Sequence, residues 1–218
     1  MAPNSKRKGG SPDVIRHLAL LGDALQNIDL GSGEIESALV PRPRNPWKLT
    51  VLQALQSLPR GHVREIPEDA THVVISIEGA WAIEASGLLN GGTHTISEAL
   101  QTLCTAADAF EGVLAGMIAA ARETGLPTVV CTLVPARHAR PAQHRTASTA
   151  LAIFNDRVMR RAFAESLSIV DLRLVCDEDG DYASATLLSR AGVCKAANVI
   201  RTALYDVSRS GGGTRVYF

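Results

Sequence analysis

The segment Ala70-Thr-His-Val-Val-Ile-Ser-Ile-Glu-Gly79 limits the fold more than any other part of the chain. It is a β-branched run that stops at glycine, too short for a helix and apolar at successive positions, so a strand here carries apolar side chains on both faces. Such a strand must be covered from both sides, which is the condition of a central strand in a parallel sheet. A second run, Leu18-Ala-Leu-Leu-Gly-Asp-Ala-Leu-Gln-Asn27, is apolar until it breaks at Gly22-Asp23. It has the form of another buried strand with the turn that ends it. In an open α/β sheet, ligands sit beyond the carboxyl ends of such strands.

The remaining chain supplies the partners these strands need. Strands are expected over Val14–Leu21, Trp47–Leu55, Ala70–Gly79, Thr128–Val134 and Ser168–Leu174, with a helix over Val51–Leu58 as the alternative reading of the second. A short helix over Glu34–Val40 is expected before the extended connection that Pro41, Pro43 and Pro46 impose. From Thr95 the apolar period becomes helical, through Ile96, Leu100, Leu103, Ala107, Phe110, Leu114, Met117 and Ala121. Thr95 and Glu98 have capping-box spacing, and Gly125 with Pro127 marks the stop. Further helices are expected over Ala147–Glu165 and Ser189–Val207, a basic polar loop over Ala136–Arg145 and an acidic surface loop over Asp177–Asp181.

Strands alternating with helices imply right-handed βαβ units. The expected class is α/β: a three-layer α/β/α sandwich with a parallel, flavodoxin-like, five-stranded sheet. Residues 14–207 form one domain, between a disordered basic tail (1–13) carrying Lys6-Arg7-Lys8 and a flexible Gly- and Ser-rich tail (208–218).

Lys+Arg and Asp+Glu both number 22, so no global field favours nucleic acid or an anionic membrane. The expected partner is a small-molecule ligand, with a second copy of the chain or another protein as the alternative. No apolar stretch reads as a membrane span and the N-terminus lacks a signal-peptide core, so a cytoplasmic location is expected. Cys104, Cys131, Cys176 and Cys194 are far apart without a CxxC pair. Buried thiols are expected rather than disulfides or metal ligands, and no cofactor or metal is implied.

With the strands placed, the chain resembles the SGNH, or GDSL-like, hydrolases from Leu18 to about Leu204. The resemblance rests on the order and spacing of Leu20-Leu-Gly-Asp23, Ala70–Ile77 before a glycine, Phe154-Asn-Asp156, and Val170–Glu178 followed by Asp181-Tyr-Ala183. It implies a nucleophilic serine after Gly-Asp, oxyanion donors from a glycine and an asparagine, and a late histidine as base. Carried over residue by residue, the scaffold positions match and the chemical ones do not. The serine position is Ala24, the oxyanion asparagine is Ala80 and the following acid is Trp81, while the second-block glycine falls on Gly61 or is replaced by Gln56. The base falls near Thr186-Leu-Leu-Ser189, and no histidine follows His144. An alanine has no oxygen to form an acyl intermediate, and loss of one oxyanion donor costs about 10² to 10³ in rate.

The groups left at this cleft are therefore different ones. Glu78, at the carboxyl end of a buried strand, and Asp23, in the turn after the first strand, are the candidate acid-base residues. Ala24, Asn27, Gly79, Ala80, Trp81 and Leu187 are the candidate ligand-lining residues, with Trp81 able to wall an apolar ligand or stack on a cation. The plainer alternatives are that Trp81 fills a vacated active site, that Glu78 caps a turn and that Asp23 only holds its turn by backbone hydrogen bonds. His72 falls at the amino end of its strand, the wrong end for chemistry. His138 and His144, with Arg137, Arg140 and Arg145, lie on a loop that opens toward the ligand end, as an anion site, a lid or an ordinary solvated loop. Asn155-Asp156 is expected to serve packing.

The expected function is a repurposed SGNH fold that binds a small molecule and transforms it non-hydrolytically, as an isomerase, cyclase or lyase. A non-catalytic partner-binding protein is the second expectation. An acyl hydrolase inactivated by replacement of its serine with Ala24 is the third.

Overall fold

The computed structural model describes residues 17–22, 25, 48–52, 65–78, 83, 95–210 and 213–218. Its strands are β1 (His17–Leu21), β2 (Lys48–Leu52), β3 (His72–Ile75), β4 (Thr128–Cys131), β5 (Ser168–Val170) and β6 (Val216–Tyr217). All pair in parallel, in the order β2-β1-β3-β4-β5-β6. The sheet is thus α/β and flavodoxin-like, as expected, with six strands rather than five.

The sixth strand corrects the expected tail. Val216 and Tyr217 pair with Ile169 and Val170, and backbone amides of Ile169 and Asp171 donate to the carbonyls of Arg215 and Tyr217 at 2.8 Å. β5 is fully buried, so without this addition its amides would lack acceptors in a place closed to water. A strand of two residues behind a Gly- and Ser-rich stretch leaves no periodicity to read.

The inner strands β1, β3, β4 and β5 are buried on both faces because each face meets a helical layer. Ala19, Leu21, Val73, Ile75 and Val130 share one core with Phe110, Leu114 and Met117 of α1 (Ile96–Thr124) and Leu151 and Phe154 of α2 (Pro141–Ala164). Leu18, Leu20, Val74, Val129 and Cys131 point the other way, into a core with Val193, Ala197, Ile200 and Leu204 of α3 (Arg190–Ser210). Burying each large aliphatic side chain is worth about 1.5–3 kcal/mol, so the alternation fixes the layers. Phe110 and Phe154, both fully buried, stack at 5.3 Å and lock α1 to α2.

α1 begins and ends as its sequence directs: Thr95 accepts from the Glu98 amide at 3.1 Å, and Gly125 closes it. By length and composition alone it could cross a membrane, contrary to the expectation that no stretch would. Part of its apolar stripe is covered by the sheet and α2, with Leu103, Phe110, Leu114, Met117 and Ile118 buried, while Ile96 and Leu100 are exposed.

Other boundaries differ for identifiable reasons. The strands end earlier than the apolar runs because Ile77 and Leu133 stay buried after sheet pairing stops, so hydrophobicity does not mark the last ladder bond. β5 stops at Val170 because the Asp171 side chain accepts from the Arg173 amide and starts a single helical turn, Leu172–Val175. α2 begins at Pro141, taking His144 and Arg145 out of the expected loop, since proline is well suited to a first helical position. Cys131 and Cys176 are buried, whereas Cys104 and Cys194 are exposed. The expected tail over 1–13, the helix over Glu34–Val40 and the proline-rich connection lie outside the described residues.

Candidate functional site

The strand order reverses direction at β1, between β2 and β3, and the carboxyl edge there is set by Gly22. Its φ is +106°, and a Cβ at this position would stand 2.2 Å from the Ser76 carbonyl oxygen. Only glycine lets β1 turn this close to β3. The Gly22 amide donates to Leu52 and the Ser76 amide to Leu21, so β2, β1 and β3 end in one bonded frame.

The ends of β4 and β5 are tied by side chains. The Thr132 hydroxyl donates to Asp171 at 3.0 Å and accepts from the Leu172 amide at 2.8 Å. Burial pushes the Asp171 carboxyl up, but the Arg173 guanidinium at 2.6 Å and the Thr132 bond outweigh it and hold the group below the usual carboxylate range. Asn155, buried in α2, accepts from the Leu133 amide at 2.7 Å, whereas Asp156, expected to serve packing with it, is exposed and pairs with Arg160. Neither buried thiol beside this edge is a nucleophile at neutral pH: burial pushes both Cys131 and Cys176 up to about 12.

Segments following these two strands line an open, shallow cleft of about 500 Å³. Arg137 and His138 come from the loop after β4, His144 from the first turn of α2, and Asp179, Tyr182 and Ser184 from the segment before α3. Arg137 is held from several directions. Its amide donates to Ala185, its guanidinium donates to the Asp177 carbonyl at 2.5 Å, and its charged carbon lies 5.1 Å from the centre of the Tyr182 ring. Burial pushes the Tyr182 phenol up to about 12, and its hydroxyl donates to the Cys176 carbonyl at 2.7 Å, so it serves as a neutral wall.

The acidic segment is more than a surface loop, because Asp181 is buried. Its carboxylate accepts from the Glu178 amide and pairs with Lys195 of α3 at 2.9 Å. Hydrogen bonds to Glu178 and Asp181 raise the Lys195 ammonium. The Asp181 carbonyl also takes the Ser189 amide at 2.7 Å and passes so close to Gly192 that a Cβ there would lie 2.3 Å away. Ser189 caps α3 through the Gly192 amide. The pocket wall is therefore fixed to α3 at several points.

Of the residues expected to form the site, Asp23, Ala24, Asn27, Gly79, Ala80 and Trp81 lie outside the described residues. Glu78 follows β3 at the carboxyl edge and is partly exposed. Leu187 does not line the pocket; its carbonyl accepts from the Ala183 amide at 2.9 Å and folds the turn carrying Ser184. His72 lies at the amino end, as expected. Asp179, Tyr182 and Ser184 were not foreseen as lining, and the available signal was an aromatic residue directly after an acidic run. Among the described residues no group of three or more His, Cys, Asp or Glu side chains is placed to hold a metal ion.

A parallel sheet in this order, covered by helices on both faces, defines a flavodoxin-like α/β architecture. More particularly, the chain has the fold of the SGNH/GDSL lipolytic hydrolases. It is similar to the extracellular lipase of Streptomyces rimosus, with TM-score 0.61 and 13% identity over 87% of this chain and 100% of that one. It is also similar to phospholipase A1 of Streptomyces albidoflavus (TM-score 0.55, 12% identity, 87% and 99% covered). A third similar structure is the carbohydrate acetylesterase Est24 of Sinorhizobium meliloti (0.53, 12%, 86% and 97%). No protein-family model and no curated protein matches the sequence.

Proposed function

We propose that this chain binds a small molecule at the carboxyl edge of an SGNH-type sheet and transforms it without hydrolysis, as an isomerase, cyclase or lyase. The observation that carries this is the open pocket of about 500 Å³, whose lining includes two imidazoles, a hydroxyl and a guanidinium. A filled, apolar plug would favour a purely structural descendant. The sequence supports the non-hydrolytic half: Ala24 stands where the resembling family has its serine, and no histidine follows His144. Proton transfer needs only a positioned acceptor and donor, not an acyl intermediate. Glu78 and Asp23 are the carboxyl groups proposed for that role, with His138 and His144 as the groups the pocket adds.

The direct test compares the wild-type protein and Ala24→Ser on short acyl esters. Neither is expected to exceed the background rate, because the oxyanion donor and the base are absent as well. Strong esterase activity in Ala24→Ser would overturn the proposal in favour of a hydrolase inactivated at one position. Binding is read separately, by imidazole resonances of His138 and His144 during a screen of neutral and charged fragments. A complete lack of response would favour the partner-binding alternative.

A further inference from the structure

The pocket collects positive charge and hydrogen-bond donors from three separate parts of the chain. Arg137 and His138 follow β4, His144 lies in the first turn of α2, and Ser184 precedes α3. Among the described lining residues the one carboxylate is Asp179, which is 97% exposed and stands 3.7 Å from Arg137. Asp177 meets the guanidinium through its backbone carbonyl instead. Arg137 Nε is buried and has no hydrogen-bond partner among the described residues, so the guanidinium is positioned without being fully satisfied.

The start of α2 adds to this field. Its first turn contains no acidic residue, and Arg140 at the cap makes no side-chain capping bond. Helix N-termini carry partial positive charge and unpaired amides, which normally attract an acidic residue or an anion. Here the first turn offers a histidine on the pocket side. Among the described residues the lining has no large aliphatic side chain, and its aromatic ring, Tyr182, is covered by Arg137.

We infer that this pocket binds the oxyanion group, carboxylate or phosphate, of a small anionic ligand, with Arg137, His138, His144 and Ser184 as its donors. The inference rests on the small-molecule reading above and names the ligand class. Arg137 supplies the fixed charge, the imidazoles supply directed N–H donors, and Ser184 supplies a hydroxyl. Such charge-assisted bonds are short and roughly twice as strong as neutral ones.

The test titrates the full-length protein with inorganic phosphate and, separately, acetate, following the His138 and His144 imidazole resonances at constant ionic strength. Neutral fragments of similar size serve as the second arm. Saturable shifts with one or both anions are expected, and the anion that binds more tightly identifies the group. The double variant His138→Gln/His144→Gln, compared with wild type by isothermal titration calorimetry with the same anions, is expected to keep its melting temperature and to bind the anion about tenfold or more weakly. Equal anion binding by that variant would overturn the inference. So would a pocket that answers neutral fragments but neither anion, an outcome that leaves the small-molecule reading standing. Silence toward both arms would bring down both.

Discussion

The two edges of the sheet use the same residue type in opposite ways. At the amino edge, His17 and His72 are buried and surrounded by partners. His17 Nδ1 lies 2.8 Å from Asp69 and its Nε2 lies 2.8 Å from the Thr50 hydroxyl. His72 stands between the Thr71 and Ser208 hydroxyls at 3.0 and 2.8 Å. The hydroxyl–imidazole–carboxylate chain of Thr50, His17 and Asp69 has the outline of a catalytic triad, yet it cross-links β1 and β2 to the segment before β3 and His17 is only 2% exposed. At the carboxyl edge, His138 and His144 are partly exposed, lie outside the strands and face a pocket. Connectivity between polar groups is thus a poor guide to chemistry in this fold. What separates the two pairs is whether the side chain still has an open side.

The largest effect tests the frame of the carboxyl edge. Gly22→Ala places a Cβ 2.2 Å from the Ser76 carbonyl at a φ of +106°, and a loss of more than about 3 kcal/mol in urea-unfolding free energy is expected. Tolerance of alanine would show that this edge is far looser than the amino edge.

The next effect is acid sensitivity from the amino edge. Burial lowers the His72 imidazole to about 4, so the unfolded chain binds the proton first, near pH 6.5, and the folded chain only near 4. The stability contributed by neutral His72 is complete above pH 6.5 and is lost as the pH falls toward 4, by at most about 3 kcal/mol. Across this window wild type should lose stability relative to His72→Gln as the pH falls, by at most that amount, whatever the offset between them at neutral pH; parallel curves would break the contrast.

A smaller effect sharpens the comparison residue against residue. His72→Leu removes a group bridging two hydroxyls and should cost about 1–2 kcal/mol by thermal unfolding, whereas His138→Leu should change stability by less than about 0.5 kcal/mol. Equal costs would mean that His138 is as structural as His72.

The layers were legible because buried parallel strands announce themselves. Leu18–Leu21 and Val73–Ile75 alternate between two cores, and no other arrangement covers both faces. The site was less legible for a physical reason. Residues 137–144 and 179–185 read separately as a basic and an acidic stretch with no common period. Only the return of the chain after β5 brings Arg137 against Tyr182 and Asp177. The burial of Asp181 was hidden in the same way, since its partner Lys195 lies on another element. Asp23, Ala24, Asn27, Gly79, Ala80 and Trp81 are singled out by the sequence alone and lie outside the described residues.

The anchoring of Arg137 has a consequence in entropy. A free arginine would surrender on the order of 2 kcal/mol of rotamer freedom when a ligand immobilised it. The aromatic ring of Tyr182 and the Asp177 carbonyl have already imposed that restriction during folding. A molecule entering the pocket meets a guanidinium whose disorder has been spent, so calorimetry should find a smaller entropic penalty than a flexible surface arginine would impose.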